Sequence, residues 1–271
     1  MQPRRVMFHW RAMALLSLAG LLGTGCATAP ASTTVAAATA DSEPPSHDPW
    51  ERMNRQVFEF NELVDRVAIK PAAQAYQAVV PEPARRGVRN FFGNLGDFWT
   101  AANLMLQAKP RQSLEMLLRA EVNTVFGLGG LLEVADELGL ERFTVEDVGQ
   151  TLGYWGLKSG PYLVLPFLGP NTLRDTAGLL LDYQDSTINH VWREPRDSNA
   201  AGLLNLLSRR VELLNAGRVL DQIALDKYVL LRDAYLARRK SQIYDGEVPD
   251  DEDGTPAPAP YKARLQREMP N

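Results

Sequence analysis

Three stretches of this chain are nearly free of charge, yet none can run as an unbroken regular helix. Residues 159–173 (SGPYLVLPFLGPNTL) hold no charge and are interrupted by Pro161, Pro166 and Pro170. Residues 122–132 (VNTVFGLGGLL) hold none, and residues 90–108 (NFFGNLGDFWTAANLMLQA) hold only Asp97. A surface helix shows polar residues on its outer side, so a segment apolar all round is either deeply buried or turned to lipid. Deep burial is the commoner outcome. The glycines and prolines also imply short, angled pieces joined by turns. Turns that stay apolar need shelter from water, in protein or in lipid.

The rest of the region between residues 48 and 244 reads as helical, and the fold class expected is all-α, one domain of amphipathic helices. Asp48 has the chemistry of an N-cap, with Pro49 in the first turn and Glu51 three residues on. Trp50, Met53, Val57, Phe60, Val64 and Val67 then recur at helical spacing, with Phe58 and Leu63 widening the stripe. Pro71 is expected to end or kink this helix. A second helix begins near Pro83. A third covers about residues 110–126, with Leu114, Leu117, Leu118, Val122 and Val125 as one apolar face. Further helices are expected over 171–190, 197–216 and 218–243, with Gly217 as the turn between the last two. No segment alternates with period two for long enough to predict a strand.

The ends of the chain read differently. Arg4, Arg5 and Arg11 precede an eleven-residue apolar run (residues 12–22, AMALLSLAGLL). Such a run is too short to cross a bilayer, which takes about 20 residues, so residues 1–25 read as a secretory signal. Cys26, the one cysteine of the 271-residue chain, follows Gly23, Thr24 and Gly25. This resembles a lipobox, although Gly23 stands where Leu, Val or Ile is usual, and Cys26 is expected to be acylated. Residues 26–47, rich in Ala, Thr, Ser and Pro, are expected to be a flexible linker spanning about 25 Å. Residues 245–271 are acidic and Pro-rich and are expected to be disordered. Loss of the three signal arginines takes the net charge from −4 to −7, which disfavours nucleic-acid binding. One cysteine also excludes an internal disulfide and a cysteine zinc cluster.

No enzyme motif is present. After processing only His47 and His190 remain, and the chain lacks HExxH, GxSxG and a Walker A loop. No cofactor and no metal are expected, and an enzymatic role is not. Adjacent acids such as Glu146 and Asp147 are too common to carry a signal on their own. Arg85, Arg86 and Arg89 lie beside the apolar stretch that starts at Phe91. A guanidinium fork suits a phosphate, so they are candidate headgroup contacts, although solvated helix faces carry such clusters too.

Taken together, the motifs resemble the VacJ/MlaA family of outer-membrane lipoproteins. DPWERMNRQVFEFN (residues 48–61) resembles the family's opening signature. Lys70-Pro71 with Tyr76, VPEPARRGVRNFFGNL (80–95), Asn103 with Leu106-Gln107, and Asn123-Thr124 with GLGGLLEVA (127–135) follow in order. EDVGQTLGYWGLKSGPYLVLPFLGPNTLRD (146–175) closes the set, with Val148 and Asn171 departing from the usual Phe and Ser. The resemblance implies an all-helical ring in the inner leaflet of the outer membrane, with a central amphipathic channel for phospholipid. It implies association with a trimeric porin and transfer of strayed outer-leaflet phospholipid to a soluble periplasmic carrier. That carrier would serve an inner-membrane ABC transporter complex, and the whole would maintain lipid asymmetry. Under this reading Phe58, Phe60, Asn61, Phe91, Phe92, Phe98, Trp99, Leu104, Gly153, Tyr162 and Phe167 are candidates to line the lipid path or face the bilayer. Residues 136–149 are expected to form a hairpin near its mouth. A structural lipoprotein and a periplasmic lipid hydrolase are the alternatives.

Overall fold

The computed structural model describes residues 48–184, 191–192, 194–248 and 259–261. The signal segment, Cys26, most of the linker, His190 and much of the C-terminal tail lie outside the described residues.

Helices dominate, as expected for an all-α fold. Helix α1 (Glu51–Val64) passes through a π-helical turn (Asp65–Ile69) into α2 (Lys70–Val79). Pro71 does not end the helix, one of the two outcomes expected of it; the chain passes it through a π-helical turn. The wider turn accommodates it: the Lys70 N–H reaches back to the Asp65 carbonyl, and a π-bulge relieves the ladder where proline has no N–H to give. Arg210 grips the Asp65 carboxylate with two bonds of 2.7 Å and ties this bulge to the rest of the fold. Asp48 is not an N-cap either. Its side chain is buried, where it accepts from Asn54 Nδ2 at 2.7 Å and from the Tyr228 hydroxyl.

Helix α3 (Glu82–Leu106) has Pro83 in its first turn and runs 25 residues, or about 37 Å at 1.5 Å per residue, unbroken through Gly93 and Gly96 where short, angled pieces were expected. A tight connection through Ala108, with φ of 56°, turns it into α4 (Pro110–Phe126), and the two pack along their lengths. Short helices α5 (Val134–Glu137) and α6 (Val148–Tyr154) follow. Asp147 caps α6 by accepting from the Gln150 N–H at 2.8 Å. The Pro-broken stretch then forms a two-stranded antiparallel hairpin that the sequence pattern did not predict. β1 (Tyr162–Leu165) pairs with β2 (Gly169–Thr172) in the register Tyr162↔Thr172 to Leu165↔Gly169. Strands of four residues are too short for alternation to register.

Helix α7 (Leu173–Gln184) crosses α6 where Gly149 meets Gly178. A Cβ on Gly178 would lie 2.5 Å from the Gly149 nitrogen, so the two backbones touch and neither position has room for a side chain. Helix α8 (Pro195–Ile223) continues straight through Gly217. The break falls instead at Ala224, after which Asp226 caps α9 (Lys227–Ile243) by accepting from the Val229 N–H. A single glycine costs a helix only about 1 kcal/mol, which the packing of so long an element overrides. Within the segment expected to be a disordered tail, Asp245 pairs with Lys109 at 2.6 Å and Tyr261 lies 5.4 Å from the Trp155 ring.

The apolar clusters are small. Ala101, Leu104 and Met116 join α3 to α4, Ala73, Val211 and Leu214 join α2 to α8, and Tyr162, Val164 and Tyr228 seat the hairpin between α1 and α9. Much of the remaining interior is polar: Asn54, Asn103, Gln107, Arg119, Gln150 and Thr172 are each at most 1 % exposed.

Candidate functional site

Helix α4 shows the arrangement that matters most for function. Most of its apolar face points outward, although Leu117 packs against the Ala101, Leu104 and Met116 cluster. Leu114 is 61 % exposed and Phe126 69 %, and Leu118 and Val125 are open as well. The side turned inward carries Ser113, Met116, Arg119, Ala120 and Asn123, all buried. Arg119 is fully buried and bonds Asp136 at 2.6 Å, the Leu140 carbonyl at 2.7 Å and the carboxylate of Glu133. Asn123 Oδ1 accepts from the Ala135 N–H. Interior charges are tolerable only when paired and hydrogen-bonded; Arg119 meets this through its terminal nitrogens, while its Nε lies 3.9 Å from Asp97 without a hydrogen bond. The same inversion recurs on α1, where Asn54 is the buried residue while Trp50, Met53, Phe60, Leu63 and Val67 are exposed. A surface with this many open apolar side chains calls for a non-aqueous neighbour. Among the described residues, no helix is long and apolar enough to cross a membrane.

An apolar cleft of about 380 Å³ opens between α3 and α8. Val88, Phe91, Phe92, Leu131, Trp192 and Leu204 line it, and Asp197 is its one acidic residue. Phe91, Phe92 and Trp192 form an aromatic cluster, with ring centres 5.4 Å apart for Phe91–Phe92 and 5.9 Å for Phe91–Trp192. Spacing along α3 brings Val88, Phe91 and Phe92 to one face.

The residues expected on the lipid path divide into two groups. Phe91 and Phe92 line this cleft, while Phe60 and Phe167 meet edge to face at 5.3 Å on the exterior. The others are held by protein neighbours. Leu104 and Tyr162 are core residues, and Phe58 packs against Tyr228. Gly153 is enclosed by Arg174 and Ile243, each 2.8 Å from where its Cβ would sit. Trp99 donates to Asp182 at 2.8 Å, and Phe98 is half-buried. Asn61 holds the hairpin: its Nδ2 donates to the Leu165 carbonyl and its Oδ1 accepts from the Phe167 N–H. Asn54 does the same for Tyr162 and Val164. Two asparagines seven residues apart thus give the free edge of β1 the partners a third strand would supply. Their spacing on one helix face was visible in the sequence, but nothing there linked them to the hairpin.

The arginines are mostly engaged. Arg85 donates to the Gln77 and Val80 carbonyls and to Glu82, so it closes the α2–α3 turn. Arg89 bonds Glu82 and reaches Glu212 of α8 at 2.7 Å, bracing the cleft. Arg89 and Arg85 together hold Glu82 below the usual carboxylate range. Arg86 is exposed. Residues 136–149 form no strand hairpin. This segment is instead pinned by Arg119 at Leu140, by Arg142 at Asp97 (3.2 Å), and by Glu146, whose Oε2 accepts from Gln107 Nε2 at 2.8 Å.

Two adjacent acids, undistinguished in the sequence, part company here. Burial drives Glu146 up to about 7 despite the opposing pull of Gln107 and Lys109. Asp147 is only partly buried, and the Arg239 fork at 2.6 and 2.9 Å holds it below its ordinary value. Arg239 and Arg174 likewise hold Asp175 down at about 2 against its burial.

Comparison with known proteins places these features in a family. Residues 46–242 match the family model described as MlaA lipoprotein. The intermembrane phospholipid transport system lipoprotein MlaA of Escherichia coli (strain K12) is 35 % identical over 204 residues, covering 74 % of this chain and 80 % of that one. The protein of the same name from Haemophilus influenzae is 28 % identical over 214 residues, covering 78 % and 84 %. A solved structure described as "Structural basis for maintenance of bacterial outer membrane lipid asymmetry" superposes with a TM-score of 0.65 at 32 % identity, covering 72 % of this chain and 98 % of the other. A mainly helical chain that turns the leucines of α4 outward and its asparagines and Arg119 inward, and that matches the family model over residues 46–242, belongs to the MlaA lipoprotein family.

Proposed function

We propose that this chain is a phospholipid-transport lipoprotein of the Gram-negative envelope, working at the outer membrane without bond-breaking chemistry. The observation that carries the reading is the inverted polarity of α4, with Arg119 fully buried and Leu114 and Phe126 open. Open leucines stabilise a protein against acyl chains and destabilise it in water, at about 25 cal/mol per Å². The polar interior supplies what a headgroup needs, and the aromatic cleft between α3 and α8 has the apolar lining an acyl chain needs. The names of the relatives, which concern intermembrane phospholipid transport and outer-membrane lipid asymmetry, support the same reading.

In finer terms, the helices form a ring in the inner leaflet, and strayed outer-leaflet phospholipid descends through it to a periplasmic carrier. A trimeric porin is the membrane partner, and Cys26 carries the lipid anchor. The test is genetic. Deleting the gene raises phospholipid in the outer leaflet, and the wild-type chain restores asymmetry. Phe92→Glu, which puts a charge in the cleft, fails to restore it at equal protein level. Unchanged outer-leaflet lipid in the deletion strain contradicts the reading. Release of fatty acid from vesicles by the purified protein contradicts its non-catalytic part.

A further inference from the structure

A second cavity, of about 350 Å³, lies between the loop after α5, the start of α4 and the end of α9. Its lining is mixed: Leu104 and Phe143 stand beside Gln112, Arg142, Glu146 and Asp245. Most charges at this site are already paired. Asp245 holds Lys109 at 2.6 Å, and Arg142 contacts Asp97 at 3.2 Å and Glu133 at 3.4 Å. Among the described lining acids, exposed Glu141 has no ion pair, and neither does buried Glu146. It is 2 % exposed, and among the described residues the other buried acids, Asp48, Asp97 and Asp175, each have a cation within 4 Å while Glu146 has none. Its Oε2 takes one amide N–H from Gln107, and no described residue donates to its Oε1. Close by, the Gln112 Oε1 is buried and likewise accepts from nothing.

A buried carboxylate without a cation and an orphaned amide oxygen on one cavity wall define an incomplete site. Both gaps are acceptor gaps, and one carries negative charge. The group that completes them is a cation with several N–H donors. Arg142, with guanidinium donors left over from its two carboxylates, adds a place for an anion on the same wall.

We propose that this cavity receives a primary ammonium group, with Glu146 as counter-ion and Gln112 as second acceptor. On the phospholipid-handling reading above, on which this step rests, the ligand is an ethanolamine headgroup whose phosphate faces Arg142. The cavity then selects among phospholipids by their headgroups. A phosphatidylcholine headgroup has the charge but no N–H to give, and a phosphatidylglycerol headgroup has no cation.

The full-length lipoprotein in detergent is equilibrated with equimolar phosphatidylethanolamine, phosphatidylcholine and phosphatidylglycerol, and the retained lipid is quantified by mass spectrometry. One charge-assisted hydrogen bond corresponds to about a tenfold preference for the ethanolamine lipid. Glu146→Gln and Gln112→Leu each bring that ratio toward one. Gln112 lies at the cavity edge, so its variant carries the test if Glu146→Gln disturbs folding, which a cooperative thermal transition checks. Equal retention of the three lipids, or a preference untouched by either variant, overturns the headgroup site and leaves phospholipid handling standing. Retention of no phospholipid by the wild type overturns the phospholipid reading itself. Stabilisation of the wild type by free ethanolamine with no lipid preference overturns the lipid source while keeping the ammonium site.

Discussion

Arg119, Asp175 and Glu146 show how differently charge can be kept inside one protein. Arg119 is closed in by Glu133, Asp136 and the Leu140 carbonyl. Arg119→Ala leaves Asp136 without its cation and Glu133 and Asp97 sharing Arg142 alone, and should cost about 3–5 kcal/mol in urea unfolding. Asp175 has its folded pKa lowered to about 2 from 3.8. It therefore contributes about 2 kcal/mol of stability above pH 4 that disappears as pH falls toward 2. Glu146 works in the opposite sense. Its folded pKa is raised, so the folded state binds the proton more tightly than the unfolded chain does. Stability is then greatest below pH 4.5 from this group and declines by about 3 kcal/mol as pH rises through 7. Unfolding curves at pH 5 and pH 8 should show that decline in the wild type, and Glu146→Gln should flatten it. A residue that weakens the fold at neutral pH is the kind retained for binding rather than for stability.

At the scale of elements, the hairpin depends on α1 more than on its own four-residue strands. Asn54→Ala removes two bonds to β1 and strands the buried Val164 N–H, at a cost of about 2–3 kcal/mol. Amide exchange should quicken at Val164 first. Asn61→Ala, acting at the exposed turn, should quicken Phe167 with a smaller loss of stability. The helices themselves were legible in the sequence, from the spacing of Trp50, Met53, Val57 and Phe60, from Pro83, and from the leucines of α4. Their boundaries were not, where tertiary contacts decide. Asp48 gave up its cap to bind Asn54 and Tyr228, Pro71 was absorbed by a π-turn anchored through Arg210, and Gly217 stayed helical because one glycine costs a 29-residue helix only about 1 kcal/mol. The hairpin was hidden because its pairing partners are side chains 104 to 110 residues away.

For the molecule as a whole, the sequence marked which faces are apolar but could not say whether they face protein or lipid, since a helical stripe looks the same in either setting. The inversion becomes visible only once Arg119 and the asparagines are found inside. For the same reason, several candidate lipid contacts, including Tyr162, Leu104 and Gly153, proved to be ordinary packing, while Phe91 and Phe92 line the cleft. The outward apolar face of α4, and the edge where Phe60 of α1 meets Phe167 of the hairpin turn, are expected to rest against acyl chains. With Cys26 acylated, nitroxide labels placed one at a time at Leu118→Cys, Phe126→Cys and Phe167→Cys report their surroundings in bilayer-reconstituted protein. The account predicts high accessibility to oxygen and low accessibility to a water-soluble nickel complex at all three. Labels that collide freely with the nickel complex at Leu118 and Phe126 would contradict it.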